Sequence, residues 1–119
     1  MTAGVTIEHV GFGYGSVPVL DDVSLSVERG EFFAFLGPSG SGKTTLLRLI
    51  AGFGMPTAGR VLIGERDVGQ LPPWKRNVGM VFQSYALWPH LSVAKNVAFG
   101  LERRRLPRSE IARRVREAL

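Results

Sequence analysis

The stretch Gly37-Pro38-Ser39-Gly40-Ser41-Gly42-Lys43-Thr44 decides the fold, because it matches the pattern G-x-x-x-x-G-K-[ST] at every specified position. The apolar run at residues 32–36 precedes it and predicts a buried strand. The run at residues 44–51 follows it and predicts a helix. Strand, glycine-rich turn and helix in this order are the context that the pattern requires, so we predict an α/β fold built around a phosphate-binding loop.

The chemistry of this loop suits a nucleoside triphosphate. Glycines bring backbone N–H groups close to phosphate oxygens, and the start of the helix adds unpaired donors and a positive dipole end. Lys43 is predicted to reach the β- and γ-phosphates, and the Thr44 hydroxyl is predicted to bind Mg²⁺. The residues predicted to contact the nucleotide here are Gly37, Pro38, Ser39, Gly40, Ser41, Gly42, Lys43, Thr44 and Thr45.

Two other interpretations of the loop are weaker. A glycine-rich turn with an incidental lysine would not explain the strand and helix that flank it. A dinucleotide fingerprint would need an acidic residue on the following strand, and it has no use for Lys-Thr after the last glycine. The P-loop NTPase class is therefore the expectation.

Composition indicates one globular domain. The 119 residues are 45% hydrophobic and 21% charged, and no apolar run approaches the roughly 20 residues that cross a bilayer. The absence of cysteine excludes disulfides and thiolate metal sites and is typical of a reducing compartment.

The net charge of +5 comes largely from the C-terminal part of the chain. The arginines that crowd it are Arg103, Arg104, Arg105, Arg108, Arg113, Arg114 and Arg116. No aromatic residues interleave them, so we interpret them as the solvated face of an amphipathic helix and expect no nucleic-acid partner.

The remaining pattern predicts a small antiparallel element and two helices. Residues 5–10 and 23–27 alternate apolar and polar side chains, and residues 60–63 predict another strand. The apolar run at residues 78–82 predicts a second core strand. Helices are predicted over residues 93–100, capped by Ser92, and from about Glu110 onwards, with an apolar stripe formed by Ile111, Val115 and Leu119.

A second phrase, Val81-Phe82-Gln83-Ser84-Tyr85-Ala86-Leu87-Trp88-Pro89-His90-Leu91-Ser92-Val93, joins the phosphate-binding loop in a longer pattern. With both in view, nearly all of the chain resembles the ATP-binding subunit of ABC transporters. The resemblance is to importer subunits of the group that handles maltose-type sugars, polyamines, ferric iron, sulfate and phosphonates. It implies an ABC ATPase core sheet around the phosphate-loop helix, followed by the start of a helical subdomain.

The resemblance also implies roles for residues outside the loop. Tyr14 is in the position of an aromatic ring that stacks on adenine, although a tyrosine used for packing is the alternative. Gln83 resembles the Q-loop glutamine that reaches Mg²⁺ and the attacking water, the alternative being a solvent-facing loop residue. Lys43 and Gln83 are thus the catalytic residues that the resemblance implies in this chain.

Further along, Tyr85, Leu87 and Trp88 are candidate contacts to a transmembrane permease subunit. Filling of a local core under the loop is the alternative role. His90 has no suitably spaced second histidine or cysteine, so we expect it to make a structural hydrogen bond rather than to bind a metal.

The resemblance implies that hydrolysis needs parts that these residues do not contain. We find no LSGGQ-type signature, no apolar strand ending in Asp-Glu and no switch histidine, so we interpret residues 1–119 as the N-terminal part of one ABC ATP-binding domain. The complete protein would hydrolyse ATP with Mg²⁺ as a head-to-tail dimer, bound peripherally to permease subunits at the cytoplasmic face of the membrane and linked through them to a solute-binding protein. The alternatives are a non-transport ABC protein of translation or DNA repair, or another P-loop kinase.

Overall fold

A computed structural model describes residues 3–119, which divide into one compact unit ending at Met80 and a second from Val81 to Leu119. The first unit contains strands β1 (Val5–Tyr14), β2 (Val17–Val27), β3 (Ala58–Ile63) and β4 (Arg66–Asp67), helix α1 (Lys43–Ala51), and a 3-10 turn (Pro73–Lys75). The second contains helices α2 (Val93–Arg103) and α3 (Arg108–Ala118).

The strands form one antiparallel sheet in the order β2-β1-β3-β4. This confirms the predicted antiparallel element, and β1 extends beyond residue 10, where the alternating pattern ends. Helix α1 packs on the sheet, since Leu46 and Leu49 share one buried cluster with Ile7, Val10 and Val61. The sheet and this helix are therefore the scaffold on which the phosphate-binding loop rests.

A pair of β-bulges explains why the buried residues of β1 do not simply alternate. Ile7 and Val10 are both buried although they are three positions apart, and the pairing with β2 shifts between them. His9 lies between them with φ 48°, and Asp22 on β2 has φ 50°. The His9 ring donates from Nδ1 to Asp22 Oδ1 over 2.6 Å, which joins the two irregular positions. The extra residue at a bulge returns Val10 to the core face.

Two predicted core strands are not formed, and these expectations were wrong for the described residues. Residues 32–36 and 78–82 have no strand assignment. Phe32 is 96% exposed, Leu36 93% and Val81 92%. The physical reason is that a strand requires a hydrogen-bonded neighbour, and the four strands of the sheet pair only with one another. Most of their apolar side chains consequently face solvent, although Phe35 is half-buried against the core.

The second unit is a helical hairpin in which α2 and α3 contact each other. Ser92 caps α2 as predicted, because its Oγ accepts from the Lys95 N–H over 3.2 Å. Ile111 and Val115 are half-buried on α3, whereas Leu119 is exposed beyond its end. Within residues 3–119, none of the helices combines the length and the apolar character that a membrane crossing requires.

Candidate phosphate-binding site

Two of the three glycines of the loop adopt backbone conformations that only glycine takes easily. Gly40 has φ 82° and Gly42 has φ 93°. A Cβ atom at Gly42 would lie 2.9 Å from Leu20 Cδ2, and one at Gly37 would lie 2.9 Å from Ser41 Oγ. Gly42 is thus required both for its left-handed backbone and for its close approach to β2.

Lys43 closes the loop on itself. Its Nζ donates to the carbonyl oxygens of Gly37 at 2.6 Å and Pro38 at 2.7 Å, and to Ser41 Oγ at 3.3 Å. The Ser41 N–H also donates to the Pro38 carbonyl over 3.2 Å. The ammonium group is therefore held among the predicted ligand residues by neutral oxygens, which an anionic phosphate oxygen can replace with a charge-assisted bond.

The start of α1 favours an anion. Its N-cap is Gly42, which offers no side chain to the first N–H groups, and its first turn has no acidic residue. The first intrahelical bond runs from the Leu46 N–H to the Gly42 carbonyl over 2.9 Å. The preceding amides of the turn, with the positive end of the helix dipole, remain available for phosphate oxygens. Thr44 is exposed in this turn and Thr45 is half-buried.

Together these features fit a phosphate group and its cation. The glycine positions leave room that a Cβ would fill, the helix start provides N–H donors, and Lys43 provides the positive charge. The exposed Thr44 hydroxyl is an oxygen ligand of the type that Mg²⁺ prefers. Pro38 and Ser39 are also exposed in the loop, so the predicted contact residues from Gly37 to Thr45 form one continuous feature.

Tyr14 lies at the end of β1, where the chain turns into β2. Its side chain is 55% exposed, and its ring meets Phe12 edge-on with centroids 5.0 Å apart and planes at 85°. This edge contact with Phe12 positions the tyrosine without covering both of its ring faces. The geometry is compatible with either the packing role or the stacking role.

Gln83 belongs to the second unit and lies in a turn closed by the Tyr85 N–H, which donates to the Phe82 carbonyl over 3.0 Å. Its side chain is exposed. Tyr85 and Ala86 follow with φ 66° and 55°, a strained pair for residues other than glycine. The glutamine is thus presented on a tight and strained connection, as is frequent at sites that bind ligands.

The three candidate permease contacts differ in their surroundings. Tyr85 is 80% exposed and Leu87 is also exposed, which disagrees with a local core for these two residues. Trp88 packs partly, with its ring centroid 5.3 Å from that of Phe99 and 6.1 Å from that of His90. The aromatic loop is therefore anchored at Trp88 and open to solvent at its other apolar residues.

Sequence reasoning missed the residue that holds this loop. The Asn96 Oδ1 atom of α2 accepts from the Trp88 N–H over 2.8 Å. Its Nδ2 group donates to the carbonyl oxygens of Trp88, Leu91 and Ser92 at 3.2, 3.1 and 3.0 Å. The position of Asn96 in the first turn of α2, just after the aromatic loop, was the available signal, because one asparagine side chain can bracket a short loop with its donor and acceptor groups.

A second residue missed by the sequence is Arg76, which has 4% of its surface exposed. It donates from Nη1 to the Leu49 carbonyl in the last turn of α1 over 2.6 Å, and from Nε to the Leu71 carbonyl over 2.9 Å. Burial lowers the pKa of this guanidinium, an effect that the charge of Asp67 partly opposes. No local pattern predicts the burial of Arg76, because an arginine shortly after Pro-Pro is typical of an exposed turn.

Comparison with known proteins identifies the context of this loop. The sequence profile of the ABC transporter family matches residues 20–119. The chain is 54% identical over 99% of its length to a spermidine/putrescine import ATP-binding protein, PotA, of Acidothermus cellulolyticus, and it covers 32% of that protein. It is 59% identical over 92% of its length to the PotA of Mesorhizobium japonicum, of which it covers 30%.

A relative that is named for a different solute is nearly as similar. The putative 2-aminoethylphosphonate import ATP-binding protein PhnT of Salmonella typhimurium is 51% identical over 99% of the chain, which covers 32% of that protein. The chain thus spans about a third of the length of the curated relatives it matches.

A solved structure supports the same fold. A bacterial Atm1-family ABC exporter with ATP bound superimposes on 83% of the chain with a TM-score of 0.74 and 32% sequence identity, and the match covers 18% of the exporter chain. The α/β P-loop assignment is therefore confirmed, although the two core strands are not formed among the described residues.

Proposed function

The chain belongs to the ABC transporter family, and on that premise we propose that it forms the N-terminal part of the ATP-binding domain that energises an importer. The observation that carries this proposal is the loop from Gly37 to Thr45, whose left-handed glycines, central ammonium and open helix start suit the phosphates of ATP. The import names of the relatives favour solute uptake over a translation factor or a kinase.

We assign the binding of ATP to three groups of this chain. Lys43 exchanges its loop carbonyl partners for β- and γ-phosphate oxygens, and the first-turn N–H groups of α1 hold the same phosphates. The exposed ring of Tyr14 stacks on the adenine. Because stacking uses the ring face, it holds the base with little discrimination among bases.

Hydrolysis places further demands on the side chains. When bound, Mg²⁺ neutralises charge on the phosphates, and the Thr44 hydroxyl and the Gln83 amide oxygen are its proposed protein ligands in this chain. The Gln83 amide also orients the water that attacks the γ-phosphate in line, while Lys43 stabilises the charge on the transferred group. We propose that the general base and the signature segment that closes the site lie outside these residues, the latter in the other subunit of a head-to-tail dimer.

The proposed partners follow from the exposed aromatic loop. Tyr85, Leu87 and Trp88 contact a transmembrane permease subunit, with Trp88 already supported by Phe99 and Asn96. On this proposal the protein lies peripherally at the cytoplasmic face of the membrane and engages the solute-binding protein only through the permease.

Solute choice is proposed to reside in those partners. Nearly equal identities link the chain to import proteins named for a polyamine cation and for a phosphonate, which are chemically unlike. An ATPase portion common to both has no need to recognise either solute.

The experiment compares ATP affinity and turnover in the full-length protein assembled with its permease. Lys43→Ala should weaken ATP binding about 10–100-fold and abolish turnover, because a charge-assisted contact contributes about 1.5–3 kcal/mol. Gln83→Ala should lose turnover while binding stays within about a few-fold. Lys75→Ala removes another exposed lysine of the first unit and should behave as wild type. Wild-type turnover by the Lys43→Ala complex would overturn the proposed function.

A further inference from the structure

Arg76 binds the C-terminal end of the phosphate-loop helix. Its Nη1 donates to the Leu49 carbonyl at 2.6 Å and to the Ile50 carbonyl at 3.2 Å. Its Nε and Nη2 donate to the carbonyls of Leu71 at 2.9 Å and Gly69 at 3.4 Å. One buried guanidinium therefore joins the last turn of α1 to the turn at residues 69–71.

The electrostatics suit this position. Carbonyl oxygens at a helix C-terminus carry the negative end of the dipole, so they attract a cation placed among them. Among the described residues, Arg76 is the only polar or charged side chain counted as buried, and every buried side-chain polar atom there has a hydrogen-bond partner. Burial of a charge is costly unless it is hydrogen-bonded, and here each of the three guanidinium nitrogens donates to at least one carbonyl.

The end of α1 is shaped to receive the guanidinium. Gly52 follows the helix with φ 99°, and its N–H donates to the carbonyls of Arg48 and Leu49 at 2.9 and 3.2 Å. A Cβ at Gly52 would lie 2.8 Å from Arg76 Nε. The same glycine therefore ends the helix and leaves space for the arginine.

The opposite end of this short helix is the phosphate site. Helix α1 has nine residues, so its length is about 13 Å. Lys43 and Thr44 are the first two residues of its first turn. Because a short helix moves as one body, holding its last turn also limits the position and tilt of its first turn.

We propose that Arg76 is a positioning residue, which holds α1 by its last turn and so sets the placement of Lys43 and the first-turn N–H groups for the phosphates of ATP. This inference rests on the proposed function. Lysine cannot replace the arginine fully, because a single ammonium lacks the planar fork that reaches carbonyls on both sides.

The test uses Arg76→Lys in the full-length protein, with ATP affinity measured well below the unfolding temperature so that only folded protein is compared. Val68→Ala is the matched control, since Val68 is a buried core residue of the same segment and its truncation lowers stability without touching the guanidinium. We expect Arg76→Lys to weaken ATP binding about tenfold, equivalent to the loss of one well-aligned charged contact, while Val68→Ala binds as wild type. Arg76→Gln serves as the second variant and should show the same weakening.

The outcomes separate this inference from the proposed function. Wild-type affinity in folded Arg76→Lys or Arg76→Gln protein, with Lys43→Ala still defective, would overturn the positioning role alone. Failure of both Arg76 variants to fold while Val68→Ala folds would also overturn it, because the guanidinium would then serve folding. If Lys43→Ala binds ATP normally, the proposed function fails first.

Discussion

At the scale of single residues, the site depends on a few positions where no other side chain fits. Gly42 illustrates this best, because it combines a left-handed backbone at φ 93° with a close approach to Leu20. Gly40 has a similar φ of 82°, but a Cβ there would meet nothing within 4 Å. Substitutions at Gly40 therefore report backbone strain alone, whereas substitutions at Gly42 report strain together with a steric clash.

We predict that Gly42→Ala weakens ATP binding and lowers the unfolding temperature more than Gly40→Ala does. Gly40→Ala should cost about 1–2 kcal/mol of conformational strain, whereas Gly42→Ala also displaces Leu20 or the loop. Thermal unfolding and equilibrium ATP binding on both variants check this. Equal effects would show that the contact with Leu20 has no influence on the loop.

Tyr14 is predicted to hold the base by its ring face. Tyr14→Ala should weaken the binding of ATP and of GTP by similar amounts, about 1–3 kcal/mol for the loss of one stacked base. Tyr14→Trp should preserve both affinities. Phe12→Leu is the comparison variant, since it removes the edge-on partner that positions Tyr14 but keeps the tyrosine ring, and it should weaken binding less than Tyr14→Ala does. Unchanged ATP affinity in the alanine variant would show that Tyr14 has a packing role and does not stack on the base.

At the scale of elements, short-range hydrogen bonds determine how the helices and their loops begin and end. Helix α1 ends at Gly52, where the N–H groups of Gly52 and Phe53 satisfy the last carbonyls. Helix α2 begins at the Ser92 cap and carries Asn96, whose side chain brackets the aromatic loop before it. Loop and helix thus form one supported unit.

We predict that Asn96→Ala loosens this loop without unfolding α2. Its oxygen accepts one hydrogen bond and its two amide hydrogens are shared among three carbonyls, and each hydrogen bond contributes about 0.5–1.5 kcal/mol. Exchange of the Trp88 amide hydrogen should therefore accelerate by about tenfold or more. Trp88 fluorescence, read in a Trp74→Phe background, should shift to the red as the ring leaves Phe99. Lys95→Ala on the same helix is the control and should leave both signals unchanged.

At the scale of the whole molecule, apolar surface remains uncovered. Phe32, Leu36 and Val81 are almost fully exposed, and the segments that contain them make no strand pairs. Exposed apolar side chains beside unpaired backbone are an association hazard.

We predict that residues 1–119 expressed alone show no ATPase activity above a Lys43→Ala version of the same chain. Activation of the water by a general base and closure of the site by a partner account for most of the rate in this reaction class, and both groups are proposed to lie outside these residues. The isolated chain should also aggregate more readily than the full-length protein, as light scattering would report. Mg²⁺-dependent turnover by the monomeric chain would contradict the two-subunit active site.

Local sequence determined much of this protein. The phosphate-binding loop, the helix after it, the Ser92 cap and the antiparallel strands around residues 5–10 and 23–27 were all predicted, because each depends on the conformational preferences and hydrogen bonds of neighbouring residues. The family also followed from two local phrases, since the phosphate-binding loop and the stretch at residues 81–93 are each contiguous in the chain.

Only the tertiary structure decided the rest. The apolar runs at residues 32–36 and 78–82 predict strands, but strand formation depends on partners that are distant in sequence. The bulges at His9 and Asp22 depend on pairing between strands, and the burial of Arg76 depends on a helix end 26 and 27 residues earlier. Contacts between remote segments leave no local pattern in the sequence. These features instead depend on tertiary packing and on the requirement that buried polar groups be hydrogen-bonded.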